Sequence, residues 1–241
     1  MRLGLTNLAW DPSRDEAVAG LLARLGVDAI DVAPSKYFAD VAAVCRVGAW
    51  LGATRLVFGS PANRNRAGLT DAEAWARALE FFGRLAEVAA EAGVTICLEG
   101  VHPHYGANFM TDTASSLRMA QALNHPSVGI VLDTAVVQLN GEDIEALLAE
   151  GAAWVRHIPA SEKDLVPLGQ SAGARQHEVQ QGVPSGVPPG HVPEAVDHAT
   201  MAAAIRRWVP DRVVCVEILA RGNDLHFANI EQSLAFVRRH Y

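Results

Sequence analysis

The chain has 241 residues, half of them hydrophobic, and a formal net charge of −7. This size and composition suit one large domain with a sizeable core. The acidic balance argues against a nucleic-acid binder that depends on phosphate contacts, and against a basic membrane-surface protein. No uninterrupted apolar run reaches the ~18 residues that a membrane span needs.

Apolar runs and amphipathic stretches alternate along the chain. The runs predict strands near 2–6, 28–33, 54–59, 94–99, 128–133, 154–158 and 212–219. The amphipathic stretches predict helices near 14–25, 39–51, 71–92, 112–123, 142–150, 199–208 and 229–239. This βα alternation predicts a parallel sheet with right-handed crossovers.

The absence of a GxGxxG fingerprint favours a closed barrel over a dinucleotide fold. Seven βα units are visible rather than eight, and the stretch between Ala33 and Thr54 has room for one helix but no further strand. The fold class is therefore predicted to be α/β, a contracted TIM-barrel-like (β/α) barrel that forms one domain over residues 1–241.

One segment, residues 170–194, is rich in Gly, Pro, Gln and Ser and has no periodicity. It follows the C-terminal end of a predicted strand, on the face where a barrel carries its active site. A lid over the site and a disordered insertion are equally good interpretations of such a loop.

The cysteines favour a reducing compartment. None of Cys45, Cys97 and Cys215 lies in a CxxC pair, and two of them fall inside predicted buried strands. Met1 leads straight into a strand without a secretory signal. We therefore expect a cytoplasmic protein with reduced core cysteines.

Three of the predicted strands end in a carboxylate: Glu99, Asp133 and Glu217. In a parallel α/β barrel these strand ends converge on one face, so the three acids are expected to share a polar site. The alternative is that each acid caps a helix or meets a surface arginine. Three ionised carboxylates in one pocket need a cation or a shared proton, and a divalent metal with oxygen ligands, Mg²⁺ or Mn²⁺ first, meets that need.

Other polar residues follow strands on the same predicted face. His157 ends a strand and is a candidate ligand that would suit Mn²⁺, Co²⁺ or Zn²⁺, or a substrate contact, although a structural role is an equal alternative. Lys36 and Arg64 are candidates to bind a substrate phosphate or carboxylate, against surface solvation. Arg221 follows Glu217 and is a candidate for the pocket rim.

Several stretches together resemble the xylose-isomerase-like TIM barrels, the group that contains sugar phosphate isomerases and epimerases. These stretches span nearly the whole chain: Ala33-Pro34-Ser35-Lys36, Val57-Phe58-Gly59-Ser60-Pro61-Ala62-Asn63-Arg64, Leu98-Glu99 with Tyr105-Gly106-Ala107-Asn108-Phe109, Leu132-Asp133-Thr134 with Leu139-Asn140-Gly141-Glu142-Asp143, Val155-Arg156-His157 leading to Ser161-Glu162, Val196-Asp197-His198, and the final Ala235 to Tyr241.

The resemblance implies a metal held by Glu, Asp, His and Glu at four strand ends, with the two glutamates acting as acid and base. Glu99, Asp133 and Glu217 match three of these ligands. The family pattern His-x-His-x-Ser-Glu is His157-Ile158-Pro159-Ala160-Ser161-Glu162 here, so Pro159 stands where the ligand histidine is expected. His157 and Glu162 then match positions near the substrate, and the metal site is weakened, recruits His157 or is lost.

The leading hypothesis is an isomerase or epimerase of a sugar, keto-sugar or sugar phosphate, with Glu99 and Glu217 transferring protons next to a carbonyl. A metal-independent lyase, dehydratase or cyclase on the same barrel is the first alternative, motivated by Pro159. A non-catalytic binding module is the second. The expected partner is a small molecule rather than nucleic acid or a membrane, and homo-oligomerisation is left open.

Overall fold

The computed structural model describes residues 2–27, 29–31, 41–170, 195–219 and 225–241. In this part of the chain seven strands are present, and every pair of neighbouring strands is parallel. Eight α-helices follow or separate these strands. The prediction of an α/β protein with seven βα units is confirmed.

The strands are β1 (Arg2–Thr6), β2 (Ala29–Asp31), β3 (Arg55–Phe58), β4 (Thr95–Leu98), β5 (Val128–Val131), β6 (Val155–Ala160) and β7 (Val213–Val216). The helices are α1 (Asp15–Leu25), α2 (Val41–Trp50), α3 (Asp71–Ala92), α4 (Thr113–Leu123), α5 (Thr134–Leu139), α6 (Ile144–Gly151), α7 (His198–Trp208) and α8 (His226–His240). The hydrogen-bonded strand order is β2-β1-β7-β6-β5-β4-β3.

The chain divides into two compact units, one made of residues 34–157 and the other of residues 1–33 and 158–241. In the 34–157 unit, β4 pairs with β3 on one side and with β5 on the other, and β5 continues to the first half of β6. All four residues of β5 are buried, as are the last three of β4. Their continuous apolar sequence is what a strand covered on both faces requires.

In the unit of residues 1–33 and 158–241, β1 lies between β2 and β7, and β7 pairs with the second half of β6. The four residues of β7 are buried. Gly4 in β1 leaves the space that the Cys215 side chain fills, because a Cβ at position 4 would lie 2.2 Å from the Cys215 Sγ.

Helix ends follow the local sequence signals. Thr70 and Glu73 form a capping box at the start of α3, with the Thr70 N–H donating to the Glu73 carboxylate at 2.9 Å. Gly26 and Gly93 end α1 and α3 in the left-handed conformation, at φ of 61° and 71°. Glycine adopts this region at little cost, so the chain can turn sharply into the next strand.

Several element boundaries differ from the predicted ones by one to three residues. The strand predicted over 128–133 ends at Val131, and Asp133 caps α5, a short helix that the periodicity did not indicate. The β-branched residues Val136 and Val137 extend the apolar character of the strand beyond its end, and a six-residue helix is too short to display a helical period.

Three predictions concern residues outside the described ranges: Lys36, Arg221, and the segment 170–194 beyond Gln170. Within the described ranges, no helix is both long and apolar enough to cross a membrane.

Candidate metal and proton-transfer site

Glu99 stands directly after β4 and is held there by the ladder with β3. Its N–H donates to the carbonyl of Phe58 at 3.2 Å, which continues the β3–β4 pairing one residue beyond the strands. Its carboxylate lies over Gly59, since a Cβ built at position 59 would be only 1.5 Å from the Glu99 Oε2. The missing side chain of Gly59 therefore provides the space for this carboxylate.

Asp133 follows the neighbouring strand β5 and caps α5. Its Oδ1 accepts a hydrogen bond of 2.9 Å from the Val136 N–H, and the residue is 6 % exposed. A carboxylate oxygen of Asp133 and one of Glu99 lie within 4.8 Å of each other. Two negative charges this close repel unless a cation or a shared proton intervenes, so the pair is suited to hold a cation.

Arg64 lies beneath Glu99 rather than at the protein surface. It is 1 % exposed, and its Nη2 donates to the carbonyls of Phe58 at 2.6 Å and Glu99 at 2.7 Å. Burial lowers the pKa of Arg64 to about 10, and the charge of Glu99 partly opposes this shift. Contact with a substrate anion, which the sequence led us to expect, stays a prediction for this residue.

His157 and Pro159 lie two residues apart in β6. The carbonyl of His157, a buried residue, accepts from the Leu132 N–H at 2.9 Å, so this part of β6 faces β5. Proline at position 159 has no N–H to donate to a neighbouring strand. The β5–β6 pairing ends where the chain turns into α5.

Glu162 is 3 % exposed and belongs to a buried polar group in its own unit. Its Oε2 accepts from the Val196 N–H at 3.1 Å, and its Oε1 lies 3.4 Å from the His198 Nε2. The His198 Nδ1 is 2.7 Å from the Tyr241 hydroxyl. These contacts give Glu162 a role in joining the start of α7 to the end of β6, and its contact with substrate stays a prediction.

Glu217 follows β7, and its N–H donates to the Ala160 carbonyl at 3.0 Å, which continues the β6–β7 ladder. The three strand-end acids thus occupy equivalent positions, each one or two residues beyond its strand. Within the 34–157 unit, Glu99 and Asp133 each offer one carboxylate oxygen within 4.8 Å of the other, and such a pair could bind a divalent metal ion. That Glu217 joins them as a ligand stays a prediction.

Two features of this site escaped prediction from sequence. The role of Gly59 depends on its neighbour across the sheet, and the only local signal was a glycine immediately after a strand. The inward orientation of the Arg64 side chain was equally hard to predict from sequence, because a loop arginine is usually solvated. The two phenylalanine rings near its guanidinium, Phe58 at 5.2 Å and Phe82 at 5.9 Å, are 6 and 18 residues away in sequence.

The chain belongs to the family described as xylose isomerase-like TIM barrel, whose model matches residues 18–240. The resemblance noted in the sequence is therefore confirmed. None of the curated protein sequences matches this chain significantly.

Solved structures of similar fold are enzymes at low sequence identity. A D-psicose 3-epimerase with D-tagatose from Clostridium cellulolyticum H10 shares 13 % identity at a TM-score of 0.72, with 100 % of this chain and 99 % of that chain covered. The IolI protein with a bound zinc atom has 15 % identity, a TM-score of 0.72 and the same coverage. The probable 3-DHS dehydratase AsbF of Bacillus anthracis has 13 % identity and a TM-score of 0.68, with 99 % of each chain covered. At these identities the likeness concerns the fold alone.

Proposed function

We propose that this protein is a metal-dependent epimerase or isomerase of a ketose or a related keto-polyol. The observation that carries the proposal is the pairing of Glu99 and Asp133, whose carboxylate oxygens lie within 4.8 Å at the ends of adjacent buried strands. An arrangement of this kind costs electrostatic free energy unless it serves a cation or a proton transfer. Membership of the xylose-isomerase-like family supports the choice of chemistry.

The donor set fits a hard divalent ion. Glu99, Asp133 and Glu217 would hold it, and all three supply oxygen, which favours Mg²⁺ or Mn²⁺ over a tight Zn²⁺ site. Pro159 supplies no donor at the position where the family pattern has histidine, so water would complete the coordination, or His157 would approach. The bound ion would stabilise the negative charge that develops on the substrate oxygen.

The two glutamates would carry the proton transfers. One of Glu99 and Glu217 removes the proton from the carbon next to the ketose carbonyl, and the other returns a proton to the opposite face of the same carbon. No atom is gained or lost overall, and the product is the epimer. The space above Gly59 accommodates the Glu99 carboxylate for this step, and Asp133 serves as a ligand and as the helix cap.

The ligands of the structural relatives support the choice of substrate class. One was solved with D-tagatose, and others were solved with D-fructose and with D-allulose. Arg64, a cation whose charge acts on Glu99, is 1 % exposed and already donates to two backbone carbonyls. A free ketose is therefore the first substrate to try, with its phosphate as the second.

A dehydratase is the second candidate, and Pro159 is the observation that favours it. Without the fourth ligand, a protonated carboxylate can take over the role of the metal as an acid that assists loss of a hydroxyl group. The similarity to the fold of AsbF is consistent with this chemistry on the same barrel.

The test is turnover of D-tagatose, D-fructose and D-allulose by protein supplied with Mn²⁺ and by the same protein after chelation. We expect epimer formation with Mn²⁺ and its loss after chelation. Absence of any epimer with Mn²⁺ across the three ketoses would refute the epimerase. Activity on a hydroxy-keto acid that survives chelation would establish the dehydratase instead.

A further inference from the structure

Arg64 is a charged side chain buried at the foot of the candidate site. It follows β3 by six residues and turns back under the strand ends. Its Nη2 donates to the carbonyl oxygens of Phe58 and Glu99, and its Nη1 lies 3.8 Å from the Met110 Sδ. Nη2 alone therefore uses both of its N–H groups in charge-assisted hydrogen bonds, which fix the two carbonyls relative to each other.

The two acceptor carbonyls, of Phe58 and Glu99, lie at the end of the β3–β4 ladder. The Phe58 carbonyl accepts both from Arg64 and from the Glu99 N–H at 3.2 Å. One guanidinium group thus joins the last residue of β3 to the first residue after β4. The loop carrying Arg64 is itself fixed, because the Arg64 carbonyl accepts from the Asn108 N–H at 2.9 Å.

The apolar surroundings of the Arg64 guanidinium make it a costly place for a cation that only fills space. The guanidinium lies among apolar groups, near the rings of Phe58 and Phe82, and its Nε has no hydrogen-bond partner among the described residues. Burying a cation with an unfilled donor is unfavourable. An uncharged side chain would fill the same space at lower cost, so the charge and its two hydrogen bonds have a use at this place.

We propose that Arg64 is a positioning residue for Glu99: it locks the backbone of Glu99 so that the carboxylate stays above Gly59 in the orientation that metal binding needs. This inference rests on the proposed function in so far as Glu99 is a metal ligand. In this role Arg64 acts through the backbone of Glu99.

The experiment compares Arg64→Met and Arg64→Lys with the wild type. Arg66→Met is the matched control, because Arg66 lies in the same loop but pairs with Asp71 at the surface. Mn²⁺ affinity is measured by calorimetry well below the unfolding temperature. Exchange of the Glu99 amide proton is followed by NMR, with the Leu132 amide, which donates to the His157 carbonyl, as the reference.

Losing two charge-assisted bonds should weaken Mn²⁺ binding about tenfold or more in Arg64→Met. Exchange of the Glu99 amide should accelerate while that of Leu132 does not. Arg64→Lys should fall between, because lysine keeps the charge but its shorter side chain places the ammonium farther from the two carbonyls. Arg66→Met should match the wild type in both measurements.

Wild-type Mn²⁺ affinity in both Arg64 variants would overturn the inference. A wild type that binds no Mn²⁺ would refute the proposed metal site instead, and the amide exchange alone then decides about Arg64: selective acceleration at Glu99 supports it, and unchanged exchange overturns it. Should Arg64→Met fail to fold, Arg64→Lys is judged by the same two measurements.

Discussion

Replacing Gly59 with alanine tests whether the Glu99 carboxylate must occupy the space above the end of β3. The new Cβ would lie 1.5 Å from the Glu99 Oε2 and 2.7 Å from its Cδ, whereas ordinary van der Waals contact begins at 3.4 Å. The carboxylate must therefore retreat by about 2 Å, the difference between the first and last of these distances. The backbone at Gly59 does not have a positive φ, so alanine itself introduces no strain there.

A displacement of this size should reduce the catalytic rate strongly and change the free energy of unfolding only slightly. A misplacement of about 1 Å in a reacting group can cost ~10²-fold in rate, so the Gly59→Ala variant should lose at least about that factor in kcat. The atoms struck first belong to the end of a flexible side chain, so the free energy of unfolding should change by no more than about 1 kcal/mol.

The assay measures ketose epimerisation at saturating Mn²⁺, Mn²⁺ affinity and denaturant unfolding for the same preparations. Gly83→Ala is the control, because a Cβ at that position in α3 has its nearest neighbour at 3.9 Å. That variant should keep full activity and gain about 0.5–1 kcal/mol of stability. Full activity and unchanged Mn²⁺ affinity in Gly59→Ala would refute the role given to this space.

Three further changes have definite expected outcomes. Asp133→Asn should lower Mn²⁺ affinity by at least tenfold, since a hard divalent ion binds an ionised carboxylate better than an amide, and calorimetry with an unchanged Kd would contradict its assignment as a ligand. Asp197→Asn should remove a pH-dependent part of the stability: hydrogen bonds from Thr200 lower the pKa of Asp197, so its contribution is present above the unfolded-state pKa and is lost as pH falls through the folded-state pKa. Identical pH dependence of the unfolding free energy in the variant and the wild type would contradict this. Thr70→Ala should cost about 1 kcal/mol of unfolding free energy through loss of the α3 capping box, and equal urea midpoints would show that the cap is not needed.

The parallel strands could be predicted because burial on both faces leaves a sequence signature. Val128 to Val131 and Val213 to Val216 are continuous apolar runs, and both are fully buried. Helix ends could also be predicted from the sequence, since Thr70, Gly26 and Gly93 act through neighbours within a few residues. Helix α5 could not be predicted, because Asp133 serves both as the end of a strand-like run and as a helix cap.

The acidic residues of the candidate site could be selected from sequence by their position at strand ends. The residues that hold these acids in place could not be selected in this way. Gly59 matters through Glu99, which lies 40 residues away and becomes its neighbour only through the β3–β4 pairing. Nothing local in the sequence indicates that the Arg64 side chain turns inward to the carbonyls of Phe58 and Glu99. Glu162 likewise acquires its partners, Val196 and His198, from residues more than 30 positions further along the chain.

Incorporation of deuterium from solvent into a ketose tests whether this protein removes and returns a proton on the carbon next to the carbonyl. Metal-loaded wild-type protein in D₂O should place deuterium on the carbon next to the carbonyl of the accepted ketose, detected by NMR, and Glu99→Gln and Glu217→Gln should each reduce this exchange by ~10²-fold or more. The claim is contradicted if metal-loaded wild-type protein exchanges no carbon-bound proton in any of the three ketoses, or if both glutamine variants exchange it at the wild-type rate.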